Sequence, residues 1–533
     1  MRRFLSPRFL RLLGALLALA APAAAAAAGS VVVLPAFEVK DMRPWWYAEV
    51  PGLQVLSLAS VRETQNFAQR LQDTGWLTPL LLPPGVDRNL TPPSSLFLRH
   101  FAGDALAAKI SAKIGSSTFS FSIYWDDVSI TFPTEEASRA WSAGRDFLSI
   151  DFMRVAGLTV PHVPIWYRDG MGELLRSASG NVRSVSFPGR TWRQPLDSAN
   201  RNPGLDPYAA VDPPRMPVAE LLSVQPDPGS MSYRQISPED RQRYLRGATL
   251  FAHWGFFDNG GKRRAAFLEL VGEASYGPPD EATVKRLLGF TLKELQTRLD
   301  RYASGVSSAQ IFAPKDLPLS IPALARPATR GEVARIVGEA YLRLAESASP
   351  ADATTYLDNA RELLDDARDA GEADPGVFQQ LGMLAASSKD EDKAIEWLQR
   401  AVDGDIQRPT AYVALAGLRL KQLESENPNV ALSAADTAAI WALLKKADAM
   451  RPRLGNTYGL GLAMWQNSWV RPKGEDLALL ADGVDAFPGE TGLMRGALRL
   501  FNKLGAGVDP AIAARMNEWR NRVGVSVLVP TGR

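Results

Sequence analysis

The sequence predicts three kinds of structure along one chain: an α+β N-terminal region, a mainly helical region after it, and an all-α array of repeated helix hairpins. Three observations predict it. Before residue 132, β-branched and apolar residues come in short runs, some alternating as strands do. From 133 to 313, apolar residues recur at helical spacing, interrupted by one long stretch rich in Pro, Gly, Asn and Asp. From 330 to 524, small and large residues recur at an interval of 34 residues. A length of 533 residues favours about three domains.

Residues 1–28 read separately. Arg2, Arg3, Arg8 and Arg11 precede an alanine-rich apolar run and contain no acid among them. That order describes a secretory signal peptide, with cleavage expected near Ala28 and the mature chain periplasmic or secreted. The run is short for a membrane anchor, which needs roughly 20 apolar residues. Losing the four arginines turns the formal net charge from +2 to −2. No basic stripe then remains to track phosphates, which argues against a nucleic-acid partner. The chain has no cysteine. That excludes a lipidated cysteine, disulfides, thiolate zinc sites and a cysteine nucleophile. No later run reaches the about 18 uninterrupted apolar residues of a span, so no membrane span is expected after cleavage.

Residues 29–132 form the α+β part. SVVVLPAFEV and LQVLSL are expected as strands. VRETQNFAQRLQDTGWL places Val61, Phe67, Leu71 and Trp76 near helical spacing. STFSFSIYWDDVSITF alternates as a strand pair, with Asp126 and Asp127 at the turn. Asn89–Thr91 matches a glycosylation sequon by chance.

Residues 133–313 are read as a helical subdomain. Thr134 is a candidate N-cap, followed by Glu135 and Glu136, acids that favour a helix start. A helix is expected from Pro164 to Leu175, PIWYRDGMGELL. Residues 181–240 read as loops with short strands. RQRYLRGATLFAHWGFF and RRAAFLELVGEA are helices joined by a DNGGK turn, and EATVKRLLGFTLKELQTRLDRYASG ends the block. Residues 314–329, with four prolines, are expected as a linker or packed connection. Residues 525–533 form a tail.

With Asp374 as position zero, Phe378, Leu381 and Gly382 fall at 4, 7 and 8, and Ala394, Leu398 and Ala401 at 20, 24 and 27. One period of 34 residues later come Tyr412, Leu415 and Ala416. After the insert ESENPNVALSAAD, Ala447 and Pro452 fit positions 27 and 32. Small residues let paired helices approach, and large ones fill the gaps. This pattern resembles the tetratricopeptide repeat, which implies an all-α solenoid that binds a protein or peptide partner.

Residues 166–173, WYRDGMGE, resemble the second zinc helix of gluzincin peptidases, Trp-x-x-Glu-Gly-x-Ala-Glu. Trp166, Gly170 and Glu173 match; Asp169 stands at the ligand glutamate and Gly172 replaces alanine. The resemblance implies a zinc-peptidase-like layout over residues 31–305. The family's first zinc helix carries His-Glu-x-x-His, two imidazoles one turn apart with a general base. Here the corresponding stretch, RDFLSIDFMRVAGLTV, has no histidine. Ile150 or Val155 would occupy a ligand position, and neither binds a metal. The three histidines, His100, His162 and His253, are scattered among apolar residues and read as core or surface groups.

Other chemistries lack their motifs. There is no Gly-x-Ser-x-Gly elbow and no Gly-x-x-x-x-Gly-Lys phosphate loop. The aromatic clusters PWWY (44–47) and WGFF (254–257) read as core ahead of ligand platforms. The expectation is a degenerate zinc-peptidase-like domain followed by a tetratricopeptide-like solenoid, with no catalytic residue, metal or cofactor: a non-catalytic binding scaffold. The alternative is a peptide or glycan hydrolase using Asp146, Asp151, Asp169 and Glu173, carboxylates that could hold a hard cation.

Overall fold

The computed structural model describes Trp45 to Leu528 except residues 58–59, 76, 87–93, 100–119, 125–126, 134–144, 182–183, 190–191, 193–213, 225–237, 306–309, 314–321, 348, 427, 429 and 506–508. The signal segment, the strand expected over 30–39, the sequon, His100, Asp126, Thr134, Glu135, Glu136 and the first half of the proline-rich stretch lie outside the described residues. One compact unit is built from Arg43–Asp227 and Met231–Ala328, and a second from Thr329–Arg533. The described residues are mostly helical, and no helix among them is long and apolar enough to cross a membrane.

The first unit begins with β1 (Trp46–Val50) and β2 (Leu53–Ser57), an antiparallel hairpin whose Val50↔Leu53 pair closes on Pro51–Gly52. Gly52 has φ 74, the left-handed position that a Pro-Gly turn assigns to glycine. A helix, α1 (Val61–Gly75), and a short turn of helix, α2 (Thr78–Leu81), follow. Ser60 and Glu63 cap α1 reciprocally, Ser60 N–H on Glu63 at 2.9 Å and Glu63 N–H on Ser60 Oγ at 3.3 Å. Strands β3 (Ser94–Arg99), β4 (Ser120–Tyr124) and β5 (Asp127–Pro133) complete the middle of the sheet. Asp127 thus opens β5, paired with Tyr124.

The sheet is mixed, in the order β4-β5-β3-β2-β1-β9, with β2, β3 and β5 mutually parallel. Its last strand, β9 (Ala325–Pro327), comes from the stretch that reads as a proline-rich linker. It pairs antiparallel with β1, Tyr47 opposite Arg326. Pro327, which has no N–H to donate, is tolerated because this strand is an edge.

Helices α3 (Arg145–Leu158) and α4 (Ile165–Ser177) follow, then β6 (Ser179–Asn181) and β7 (Ser184–Phe187). The Pro- and Gly-rich region contains, besides these strands, the short helix α5 (Val218–Ser223). Helices α6 (Pro238–Phe257) and α7 (Arg264–Ala274) are separated by a turn at Asp258–Gly261, where Asn259 and Gly260 adopt positive φ. Then come α8 (Glu281–Leu288), capped by Asp280 and ended by Gly289 at φ 80, α9 (Leu292–Gly305) and β8 (Gln310–Phe312). Strands β6, β7 and β8 form a second, three-stranded sheet. The core centres on Trp166, Tyr167, Phe251, Trp254 and Phe267, all at most 1 % exposed. Trp254, Phe256 and Phe257 of WGFF are part of that core, and Tyr47 of PWWY is buried too.

The second unit is a run of ten helices among the described residues: α10 (Arg330–Ser347), α11 (Pro350–Asp369), α12 (Pro375–Ser387), α13 (Glu391–Asp403), α14 (Pro409–Glu426), α15 (Ala434–Ala449), α16 (Gly455–Gln466), α17 (Gly474–Ala486), α18 (Thr491–Leu504) and α19 (Pro510–Leu528). Consecutive helices pack as hairpins, α10 on α11, α12 on α13, α14 on α15. Asp374 and Asp390 cap α12 and α13 by accepting from Gly376 and Lys393 N–H groups.

Gly382 permits close approach in the second hairpin, since a Cβ there would lie 2.6 Å from Leu398 Cγ. Leu381, Leu398, Ala394 and Ala401 are buried beside it; Phe378 is half-buried and stacks on Trp397 at 5.9 Å. Tyr412, Leu415, Ala416, Ala447 and Pro452 are buried as well. Two indoles tie alternate helices together: Trp441 Nε1 donates to Asp476 in α17, and Trp519 Nε1 donates to Asp485, each at 2.6 Å.

Candidate functional site

Helix α4 carries the residues singled out by sequence. Pro164 stands before its first turn, and its carbonyl accepts from Tyr167 and Arg168 N–H at 2.9 and 3.0 Å. Every residue from Ile165 to Leu175 is buried. A helix buried all round must satisfy its polar side chains internally.

Asp169 is satisfied on both oxygens. Arg168 Nε donates to Oδ1 at 3.1 Å, and Tyr244 Oη, from α6, donates to Oδ2 at 3.2 Å. Glu173 pairs with Arg176 one turn on. Gly170 sits where α4 crosses α6; a Cβ there would enter the van der Waals shell of the Ala248 carbonyl oxygen. Gly172 is confined by Met153 of α3, whose sulfur would stand 2.8 Å from a Cβ, and Ser149 Oγ donates to the Gly172 carbonyl at 3.0 Å. Trp166 packs on Phe251 with ring centroids 5.2 Å apart. Tyr167 donates to the Leu81 carbonyl. Burial pushes its phenol well above the ordinary value, against the pull of the Arg264 charge, so it stays a donor. Arg154 of α3 donates to the Gly52 carbonyl at 2.8 Å and ties this layer to the sheet.

One outcome of this crossing is measurable. Gly170→Ala is expected to destabilise the first unit by about 1–3 kcal/mol, because a backbone carbonyl cannot yield as a flexible side chain can. Hydrogen exchange of α4 and α6 amides would check it, with faster exchange in both helices expected.

The structure brings Trp166, Asp169, Gly170 and Glu173 together on one buried helix, with each carboxylate already facing an arginine. Asp146 and Asp151 lie on α3, and their side chains are outside the described residues. Val155, at a position where the resemblance would put a ligand, is buried apolar core. Among the described residues no group of three or more His, Asp or Glu side chains comes together to hold a metal ion. His162 is exposed. His253 is fully buried, and its Nδ1 shares a hydrogen bond with Tyr302 Oη at 2.8 Å. Burial lowers its pKa to about 3, so the ring is neutral.

Sequence reasoning missed the partners. Tyr244 lies 75 residues from Asp169, and no local pattern announces their contact. Another feature was missed although a signal for it existed. Gln242, Arg246, Thr249 and His253 recur at intervals of four, three and four, which places them on one face of α6. No protein-family model matches this chain, and no curated protein matches it.

Proposed function

We propose that this chain is a non-catalytic, zinc-peptidase-like scaffold of the bacterial envelope, periplasmic or secreted, joined to tetratricopeptide-like helical repeats that bind a protein or peptide. The observation that carries the non-catalytic reading is the state of Asp169. At the position where the resemblance puts a zinc ligand, both carboxylate oxygens are taken by Arg168 and Tyr244 inside a buried helix crossing. A guanidinium against that carboxylate opposes a second cation by like-charge repulsion at short range.

The binding half draws support from the second unit. The buried small residues Gly382, Ala394 and Ala401 sit beside the larger Leu381 and Leu398, the arrangement that stacked helix hairpins require. Two inter-helix segments of the same unit are also held side by side, Leu432 N–H on the Asn467 carbonyl at 2.7 Å and Trp469 N–H on the Leu432 carbonyl at 3.2 Å. They present Trp469, 75 % exposed, with Val430 and Val470. An exposed indole beside aliphatic residues is a common interface anchor.

Zinc content and peptide hydrolysis of the purified mature protein test the reading. Zinc well below one per chain and no turnover are expected. Stoichiometric zinc with turnover that Asp169→Asn abolishes would overturn it and favour a hydrolase. Crosslinking in the native envelope should capture a partner, and Trp469→Ser should reduce that capture if the exposed indole takes part.

A further inference from the structure

Helix α6 has two faces of opposite character. Tyr244, Ala248, Phe251 and Gly255 point toward α4 and α7, where they meet Asp169, Gly170, Trp166 and Phe267. Diametrically across the helix, Gln242, Arg246, Thr249 and His253 fall within a stripe about 60° wide at 3.6 residues per turn. Thr249 is spent on its own helix, donating to the Leu245 carbonyl at 2.8 Å. The other three each hold a buried polar atom with no hydrogen-bond partner: Gln242 Oε1, Arg246 Nε and His253 Nε2. A fourth such atom lies beside His253. The Trp192 ring is fully buried, meets the imidazole edge-on at 5.3 Å, and its Nε1 also has no partner.

Nearly all buried polar groups in folded proteins find a partner, so four around one helix face need an explanation. Ordered water would satisfy the neutral groups. It would not answer Arg246, a half-buried guanidinium with no carboxylate against it among the described residues. Burial lowers its pKa, and no charge among the described residues raises it. An uncompensated cation in that setting favours an anion.

The stripe also has a direction. Gln242 and Arg246 are half-buried, whereas Thr249 and His253 are fully buried. A charge belongs at the wetter end and a neutral acceptor at the dry end. The imidazole is neutral; in the tautomer whose Nδ1 accepts from the Tyr302 hydroxyl, Nε2–H is a donor, as Trp192 Nε1–H always is.

We propose that this face of α6 binds a small carboxylate ligand, its carboxylate on Arg246 and a carbonyl oxygen, about 10 Å along the helix, on His253 and Trp192. Three extended peptide residues span about 10 Å, so a peptide end fits the chemistry. The site is separate from the Asp169 crossing and from the helical repeats, and it stands whether or not either has the role proposed above.

The test uses the full mature protein labelled with fluorotryptophan, with the Trp192 resonance assigned from Trp192→Phe. Acetyl-trialanine is titrated in, and its C-terminal amide serves as the uncharged control. A saturable shift of the Trp192 signal by the free acid is expected, at least tenfold weaker binding of the amide, and at least tenfold weaker binding by Arg246→Gln. Arg246 is half-exposed, so that variant should fold; Arg246→Lys should retain part of the affinity. A Trp192 signal unmoved at millimolar acid, or unchanged affinity in Arg246→Gln, would overturn the proposal and leave the orphaned donors to water.

Discussion

Replacing Glu339 with alanine is expected to destabilise the second unit by about 3–5 kcal/mol, the usual result of leaving one buried charge without its partner. Glu339, on α10, is 1 % exposed, and Arg408, just before α14, is 6 % exposed. Arg408 grips it with two nitrogens, Nη1 to Oε2 at 2.9 Å and Nη2 to Oε1 at 3.3 Å. Arg343, one turn along α10, adds a looser contact at 3.5 Å. This contact ties the first hairpin to the start of the third. Losing it should therefore loosen several helices together, read as faster hydrogen exchange across α10 to α14. Replacing both partners, Glu339→Leu with Arg408→Met, should recover most of the loss, because the stranded charge is then gone. A double variant as unstable as Glu339→Ala would show that packing, and not charge compensation, dominates at this position.

Acid is expected to act on the first unit through His253. In the unfolded chain an imidazole takes up its proton below about pH 6.5. In the folded chain burial holds His253 neutral down to about pH 3. The stability this group contributes is therefore fully present above pH 6.5 and is lost as pH falls from 6.5 toward 3. At pH 4 the loss is about 3 kcal/mol, at about 1.4 kcal/mol for each pH unit. The measurement is the exchange rate of α6 amides at pH 7 and pH 4, corrected for the intrinsic rate. His253→Asn should show a shallower dependence than the parent chain. Equal dependence in both would remove His253 as the cause. Glu490 in the second unit works in the other sense: burial raises its pKa to about 7. Its contribution is present below the ordinary carboxylate value and fades as pH rises through 7. Acid therefore acts through these two groups in opposite directions in the two units.

Much of the helical structure was legible because helix formation is local. The period in PIWYRDGMGELL, the DNGGK turn and the spacing of Gly382, Ala394 and Ala401 all concern residues within a few turns of one another. Asp374 and Asp390 cap helices by contacts only two or three residues long. The proline-rich stretch misled in part, because Ala325–Pro327 becomes a strand only by meeting β1, far back in the chain. The stripe on α6 was readable as a spacing but not as a site. Its meaning depends on Trp192 and Tyr302, which lie 61 and 49 residues away.

The sequence by itself determined which segments are helical, where small residues let helices touch, and that no pair of histidines stands one turn apart before α4. The tertiary structure alone decided what each charge faces. Asp169 reads as a motif remnant or as a carboxylate that could hold a cation until Tyr244 and Arg168 are seen on it. Arg408 is an ordinary loop arginine until Glu339 is found beneath it, and Arg246 an ordinary helix arginine until no acid among the described residues is found beside it. Backbone periodicity is a property of neighbours in the chain, whereas the free energy of a buried charge depends on whichever groups the fold brings within a few ångströms.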